Sequence, residues 1–259
     1  MNLHQLLKAM IDQRAESLHV TSGAPPLLKI GGEWVPLKAP PLTPVETKTL
    51  LSCVLTDAQQ AGFEQEGVVH FSFGVKELSR FLATGYGQRG ACAAVFSPVP
   101  FRVPDPPAWV ANTVSQLGPG PGLLLAAGPR LHASAVLAWW VDHLNRTRAA
   151  RIVTVEEPIT VLHPHKQAVV DQVEVGADCQ PQQARALVRC SGADVVAIDL
   201  IDGLGAALDA LAGGALVLCA LRAASTDAAH AVKASLPAHV GPLVRSLVFV
   251  DVHDEATLL

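Results

Sequence analysis

Apolar residues recur along this chain in two different rhythms, and the change between them divides it. Near the start, Leu3, Leu6, Leu7, Met10 and Ile11 share one helical face that Lys8 and Asp12 interrupt, which predicts a helix over about 3–15. Short strands follow around 17–37, then two helices around 44–66 and strands near 68–73, 79–86 and 91–97, an α+β arrangement. Pro98, Pro100, Pro104, Pro106 and Pro107 then punctuate a stretch suited to a stiff linker. This reading places one domain at 1–97, a linker at 98–107 and a second domain at 108–259. In the second, apolar runs at 122–127, 151–155, 194–199, 215–220 and 246–251 alternate with helical patterns at 133–145, 181–190, 204–212 and 226–235. Such alternation predicts the α/β class, a parallel sheet covered by helices on both faces. Within the first of these helices Trp139 and Trp140 project about 100° apart, so one enters the core while the other covers neighbouring surface.

Composition narrows the function classes. With 259 residues, half of them apolar, two cores can be buried. A net charge of −4 and the lack of a basic stripe exclude a general nucleic-acid binder, whose affinity rests on clustered Lys and Arg. Cys53, Cys92, Cys179, Cys190 and Cys219 are odd in number and without CxxC spacing, as expected of reduced thiols packed as small hydrophobes. The N-terminus has no signal-peptide pattern, and no apolar run reaches the ~20 residues of a membrane span. A cytoplasmic protein is expected, meeting the inner face of a membrane only through a partner.

The segment from Gly122 to Asn145 carries the chemistry. It reads as the strand, turn and helix of a phosphate-binding loop, G-x-x-x-x-G-K-[ST], whose glycines let backbone N–H groups wrap phosphates while lysine meets their oxygens and a hydroxyl holds Mg²⁺. Gly128 fills the first position, but Ala133, Ser134 and Ala135 stand where Gly, Lys and Ser/Thr belong. No lysine lies between Lys76 and Lys166, and after Gly128 the next glycine is Gly176. Neither the ammonium nor the φ > 0 backbone of a phosphate nest is therefore available locally.

Four blocks follow one another in a recognisable order: LLLAAGPRLHASAVLAWWVDHLN from Leu123, RIVTVEEPI at 151–159, ADVVAIDL at 193–200 and LVLCALRAAST at 216–226. Upstream stand SLHVTSGAPPLLKIGGEW at 17–34 and SRFLATGYGQRGACAAVFSPVP at 79–100. Over almost its whole length the chain resembles the PilT-like type IV pilus retraction ATPases of the secretion ATPase superfamily. The resemblance implies a PAS-like N-terminal α+β domain followed by a RecA-like P-loop NTPase-type domain, hexameric rings and a setting in pilus or secretion machinery.

The departures are as informative. Leu200 occupies the place of the water-activating Walker B glutamate, preceded by Asp199 where glycine is usual. Arg222 replaces the His-box histidine, and the family's Glu-Asp-Pro appears as Glu156-Glu157-Pro158. Arg80 and Arg89 match family arginines thought to reach a neighbour's nucleotide, while Leu82 replaces another. The family's C-terminal helical subdomain has no counterpart before Leu259.

The resemblance with these losses implies a pseudo-ATPase with no catalytic residues, in which Glu156, Glu157 and Asp199 are vestigial. The loop of Gly128, Arg130, His132 and Ser134 is expected to hold no cofactor, Ser134 or a neighbour capping the helix while Arg130 and His132 face water. Asp199 and Asp202 read as turn and cap residues, Glu156 and Glu157 as hydrogen-bonding across a domain or subunit boundary, and His163-Pro164-His165 as a solvated loop with too few ligands for a metal. Arg80, Arg89 and Arg222 are the interface candidates. Protein partners are expected, an active PilT-type ATPase or another pilus motor component among them, in a homo- or hetero-oligomer. A weak ATPase using Glu156, Glu157 and Asp199 with Arg130 or Arg222 in place of lysine, and a nucleotide sensor without turnover, are the alternatives, with ATP and Mg²⁺ as their ligands.

Overall fold

The computed structural model describes residues 2–99, 103, 105–115, 120–250 and 256–258. The chain forms two compact units, Met1–Pro100 and Phe101–Leu259. In the first, α1 (Leu3–Asp12) is set by a capping box in which Asn2 and Gln5 satisfy each other's backbone N–H groups. Strands β1 (Ser17–Val20), β2 (Leu27–Ile30) and β3 (Glu33–Pro36) form a meander. Helices α2 (Pro44–Ser52) and α3 (Asp57–Glu66) each open on another capping box, Thr43 with Glu46 and Thr56 with Gln59. Strands β4 (Val68–Val75), β5 (Ser79–Gln88) and β6 (Ala91–Val99) complete an antiparallel sheet of order β3-β2-β1-β6-β5-β4.

Leu6, Leu7, Met10, Leu18, Leu28, Phe71, Phe81 and Phe96 fill the core on one side of this sheet. A Cβ at Gly85 would stand 2.6 Å from the Leu51 side chain, so this glycine lets α2 lie close against β5. The expected linker begins too early, because Pro98 is inside β6 opposite Phe81. It lies past the last β1–β6 pair, where no ladder bond to β1 needs its missing N–H. Pro100, Phe101, Arg102 and Pro104 of that stretch lie outside the described residues.

The second unit begins with α4 (Ala108–Ser115), which the sequence pattern did not reveal, and continues with β7 (Gly122–Gly128) and α5 (Arg130–Thr147). Next come β8 (Arg151–Glu156), β9 (Val169–Glu174), α6 (Pro181–Cys190), β10 (Val195–Asp199), α7 (Gly203–Ala212), β11 (Leu216–Arg222), α8 (Thr226–Ser235), β12 (Val244–Val250) and β13 (Ala256–Leu258). The sheet order is β13-β12-β7-β11-β10-β8-β9, parallel except for β13. Helices α4 and α5 cover one face and α6, α7 and α8 the other, over two apolar layers. Strand β9 escaped the sequence reading because it is an edge strand whose Asp171, Gln172 and Glu174 break the apolar run. Trp140 is fully buried, while Trp139 is half-buried and meets Trp109 edge to face at 6.4 Å. Among the described residues no helix is long and apolar enough to cross a membrane.

Candidate functional site

Parallel strands deliver their C-terminal ends to one edge of the sheet, where ligands of open α/β folds bind. At that edge stand Gly128 of β7, Arg222 of β11, Asp199 of β10, Glu156 of β8 and Glu174 of β9. Register fixes them: Gly128 pairs with Arg222, Asp199 with Glu156, and Glu156 with Glu174. Three of these are carboxyls that are nearly excluded from water, Asp199 at 2% exposure, Glu156 at 6% and Glu174 at 1%.

The connection from β7 to α5 is short. Between the glycines of a working loop four residues would spread their N–H groups toward phosphate, but here only Pro129 separates β7 from α5. Arg130, Leu131 and His132 are already helical, and the N–H groups of His132 and Ala133 bond to Pro129 O. Gly128, at φ +156°, lies against the backbone of β12, and a Cβ there would collide with Val250 O. This glycine serves packing between β7 and β12.

An internal ion pair sits beside it. Arg222 Nη2 is 2.5 Å from Asp199 Oδ1, and Ser134 Oγ is 2.5 Å from Asp199 Oδ2. Ser134 Oγ also lies 2.9 Å from Arg130 O, so its single proton serves one acceptor at a time. Arg222 Nη1 reaches toward Arg130 O at 3.4 Å, and Arg130 Nη2 donates to Glu157 O at 2.8 Å. A cation from β11 thus stands beside a loop that carries no lysine.

Several expectations are corrected by this geometry. Ser134 is no cap: it is buried one turn inside α5, whose N-cap Pro129 makes no side-chain bond. Arg130 is exposed, with Nη2 donating to Glu157 O, whereas His132 is half-buried and its Nδ1 has no partner. Asp199 belongs to an ion pair, because Arg222 extends over the strand ends, and only Asp202 occupies the helix cap position, without a side-chain bond. Glu156 accepts from Thr154 Oγ1 at 2.7 Å, Gln172 Nε2 at 3.2 Å and Thr160 N at 3.3 Å, all inside the second unit. Burial pushes Glu156 up to about 7; Asp199 nearby adds to the rise and the three donors oppose it. Glu157 is engaged through its backbone, its N–H bonding to Asp199 O. Leu200 packs at the margin of the apolar layer.

His163 is buried where a solvated loop was expected, because its segment folds back over β9 and its N–H donates to Gln172 Oε1 at 2.7 Å. His165 Nδ1 accepts from Val170 N. Among the described residues no group of three or more His, Cys, Asp or Glu is arranged to hold a metal ion. Of the interface candidates, Arg222 is taken up by Asp199, Arg80 is half-buried on β5, and exposed Arg89 occupies the β5–β6 turn at φ 47°.

Fold and site together define a RecA-like, P-loop NTPase-type α/β protein with an altered phosphate loop. No protein-family model matches the chain. It is 31% identical over 189 residues to the type IV pilus retraction ATPase PilT of Pseudomonas aeruginosa, an alignment covering 69% of this chain and 53% of that protein. It is 25% identical over 181 residues to the type IV pilus ATPase PilU of the same organism, covering 69% and 47%. The chain spans about half the length of the curated relatives it matches. A crystal structure of the pilus retraction motor PilT with bound ADP superposes with a TM-score of 0.79 at 28% identity, over 100% of this chain and 81% of that one. The Legionella pneumophila ATPase DotB shares the fold, with a TM-score of 0.80 at 15% identity, over 100% and 80%. The chain is PilT-like, in sequence over 69% of its length and in fold over all of it.

Proposed function

We propose that this chain is a non-catalytic PilT-like protein that acts through protein contacts in type IV pilus or related motility and secretion machinery. The observation that carries this reading is the Ser134–Asp199–Arg222 cluster beside a loop reduced to Pro129. A nucleotide would have to compete with an ion pair whose carboxylate is buried, and the His132 and Ala133 N–H groups, bonded to Pro129 O, are not free to reach a phosphate. Walker A lysine and hydroxyl, Walker B glutamate and His-box histidine are all replaced, and each well-placed electrostatic group commonly supplies ~10²–10³ in rate. Glu156 is held by three donors, so it is poorly placed to act as a base.

The relatives supply the setting, with an active PilT-type ATPase as the proposed partner, a homo- or hetero-oligomer as the proposed assembly, and a cytoplasmic location beside the membrane machinery. Arg80 and Arg89 are the proposed contact cations. A nucleotide sensor without turnover is the second reading, favoured by the cation that Arg222 brings beside Gly128. Calorimetric titration with Mg-ATP and Mg-ADP separates the two: the proposal expects no saturable heat at millimolar nucleotide. Saturable binding with hydrolysis above a buffer control would refute it, and binding without hydrolysis would establish the sensor. Mixing with an active retraction ATPase is expected to give a complex by size or a change in ATPase rate; the absence of both would overturn the partner proposal.

A further inference from the structure

Behind the strand ends lies a second polar centre that the nucleotide reading leaves unused. A cavity of about 10 Å³ is lined by Ser134, Leu137 and Ala138 of α5, Thr154 and Glu156 of β8, and Thr160 and His163 of the following segment, among others. That volume is at the threshold for one water molecule, roughly 10–15 Å³ by the same measure. His163 is 7% exposed and its Nδ1 is buried without a hydrogen-bond partner. Across the cavity, Glu156 Oε1 already accepts from Thr154 and Gln172, whereas Oε2 accepts only the longer bond from Thr160 N. A buried nitrogen lacking a partner and a carboxyl oxygen with spare capacity thus share a polar space the size of one water.

We infer that a single water molecule occupies this cavity and joins Glu156 Oε2 to His163 Nδ1, making the carboxyl proton of Glu156 part of what latches the 157–168 segment against β8 and β9. The proton sits on Oε2 and is donated to the water, which donates in turn to the unprotonated Nδ1, leaving the imidazole neutral with its proton on Nε2. The surroundings favour the neutral forms at both ends. Burial raises Glu156 to about 7, with Asp199 of β10 adding to it, while Glu174 of β9 stands beside it in register. Burial holds His163 down to about 4, with Asp142 of α5 opposing and Lys166 assisting. Asp142 is itself paired with Lys166 and Arg146, and Asp199 with Arg222.

The latch bears on the rest of the site, because the same segment gives Thr160 N to Glu156, Ile159 N to Glu174, His163 N to Gln172 and Val161 O to Gln172. Its first residue, Glu157, offers the carbonyl that Arg130 grips at the start of α5. The Glu156–His163 bridge therefore stands on one side of the frame around the Arg222–Asp199 pair. This inference does not depend on whether the protein binds nucleotide.

The test is ¹⁵N NMR of the full chain labelled at histidine, recorded from pH 5.5 to 8.5 for wild type, Glu156→Gln and His163→Phe, the last assigning the His163 signals. The expected result is a ring neutral throughout, with Nδ1 unprotonated, whose Nδ1 shift nevertheless moves in a single step near pH 7 as Glu156 titrates. In Glu156→Gln that step disappears while the ring stays neutral. A His163 Nδ1 shift that is flat across pH 6–8, or a step that survives in Glu156→Gln, would overturn the inference, as would a signal showing the proton on Nδ1. If His163→Phe does not fold, His163→Gln provides the assignment. Far-UV circular dichroism of each variant shows which chains are folded.

Discussion

The ion pair between Arg222 and Asp199 offers the sharpest test of how the site is held. Arg222→Ala removes the guanidinium and leaves a carboxylate at 2% exposure with Ser134 as its remaining side-chain partner. Deleting one partner of a buried pair costs about 3–5 kcal/mol, because the stranded charge keeps its desolvation penalty without its compensation. Arg222 retains 27% exposure and Ser134 can still donate, which reduces the expected loss to about 2–3 kcal/mol. Asp199→Asn combined with Arg222→Ala removes the charge that would be stranded, so the double variant should recover to within roughly 1 kcal/mol of wild type. Urea unfolding followed by tryptophan fluorescence reports mainly on this unit, since Trp109, Trp139 and Trp140 lie in it and only Trp34 lies elsewhere. An Arg222→Ala midpoint indistinguishable from wild type, or a double variant less stable than the single one, would refute the reasoning.

Further expectations follow from the same geometry. Gly128→Ala should cost at least about 2 kcal/mol by denaturant melt, since its Cβ meets a backbone carbonyl of β12 at a positive φ that disfavours side chains. Trp140→Ala should cost about 3–5 kcal/mol and Trp139→Ala roughly 1–2, the difference following their burial; equal losses would contradict the packing described. The pH dependence of stability carries two opposite signs. Glu156, raised from 4.5 to about 7, contributes stability that is full below pH 4.5 and lost as pH rises through 7. His163, lowered from 6.5 to about 4, contributes stability that is present above pH 6.5 and lost as pH falls through 4. Between pH 4.5 and 6.5 the two slopes offset each other. Relative to wild type, Glu156→Gln should therefore gain stability with rising pH in that window and His163→Phe should lose it, each by about 1.4 kcal/mol per pH unit at most. Parallel pH profiles for the three proteins would show that neither group titrates as described.

Most of the architecture was legible in the residues because periodicity reports burial. Continuous apolar runs such as LLLAA at 123–127 and VVAI at 195–198, short and bounded by turn residues, read as strands buried on both faces, and the spacing within 181–190 and 226–235 gave those helices their bounds. The missing lysine and glycines of the phosphate loop were equally plain, since absence of a residue type needs no coordinates. Strand β9 and helix α4 were not legible. An edge strand needs only part of its surface apolar, and a short helix after a proline-rich stretch carries too few turns to show a period.

What the sequence determined by itself was therefore most of the elements, the likeness to the PilT-like proteins and the absence of lysine and of a second glycine from the loop after Gly128. What only the tertiary structure decided was where the surviving polar residues went. Arg222, Asp199 and Ser134 are separated by 65 and 23 residues in pairs, yet strand order brings their side chains within hydrogen-bonding distance. Glu156 and His163 likewise became a buried pair about one cavity only when the 157–168 segment folded back over β9. The reason is physical: periodicity encodes whether a residue is buried, but a polar residue's role depends on which partner meets it there, and strand order and register set that across long separations.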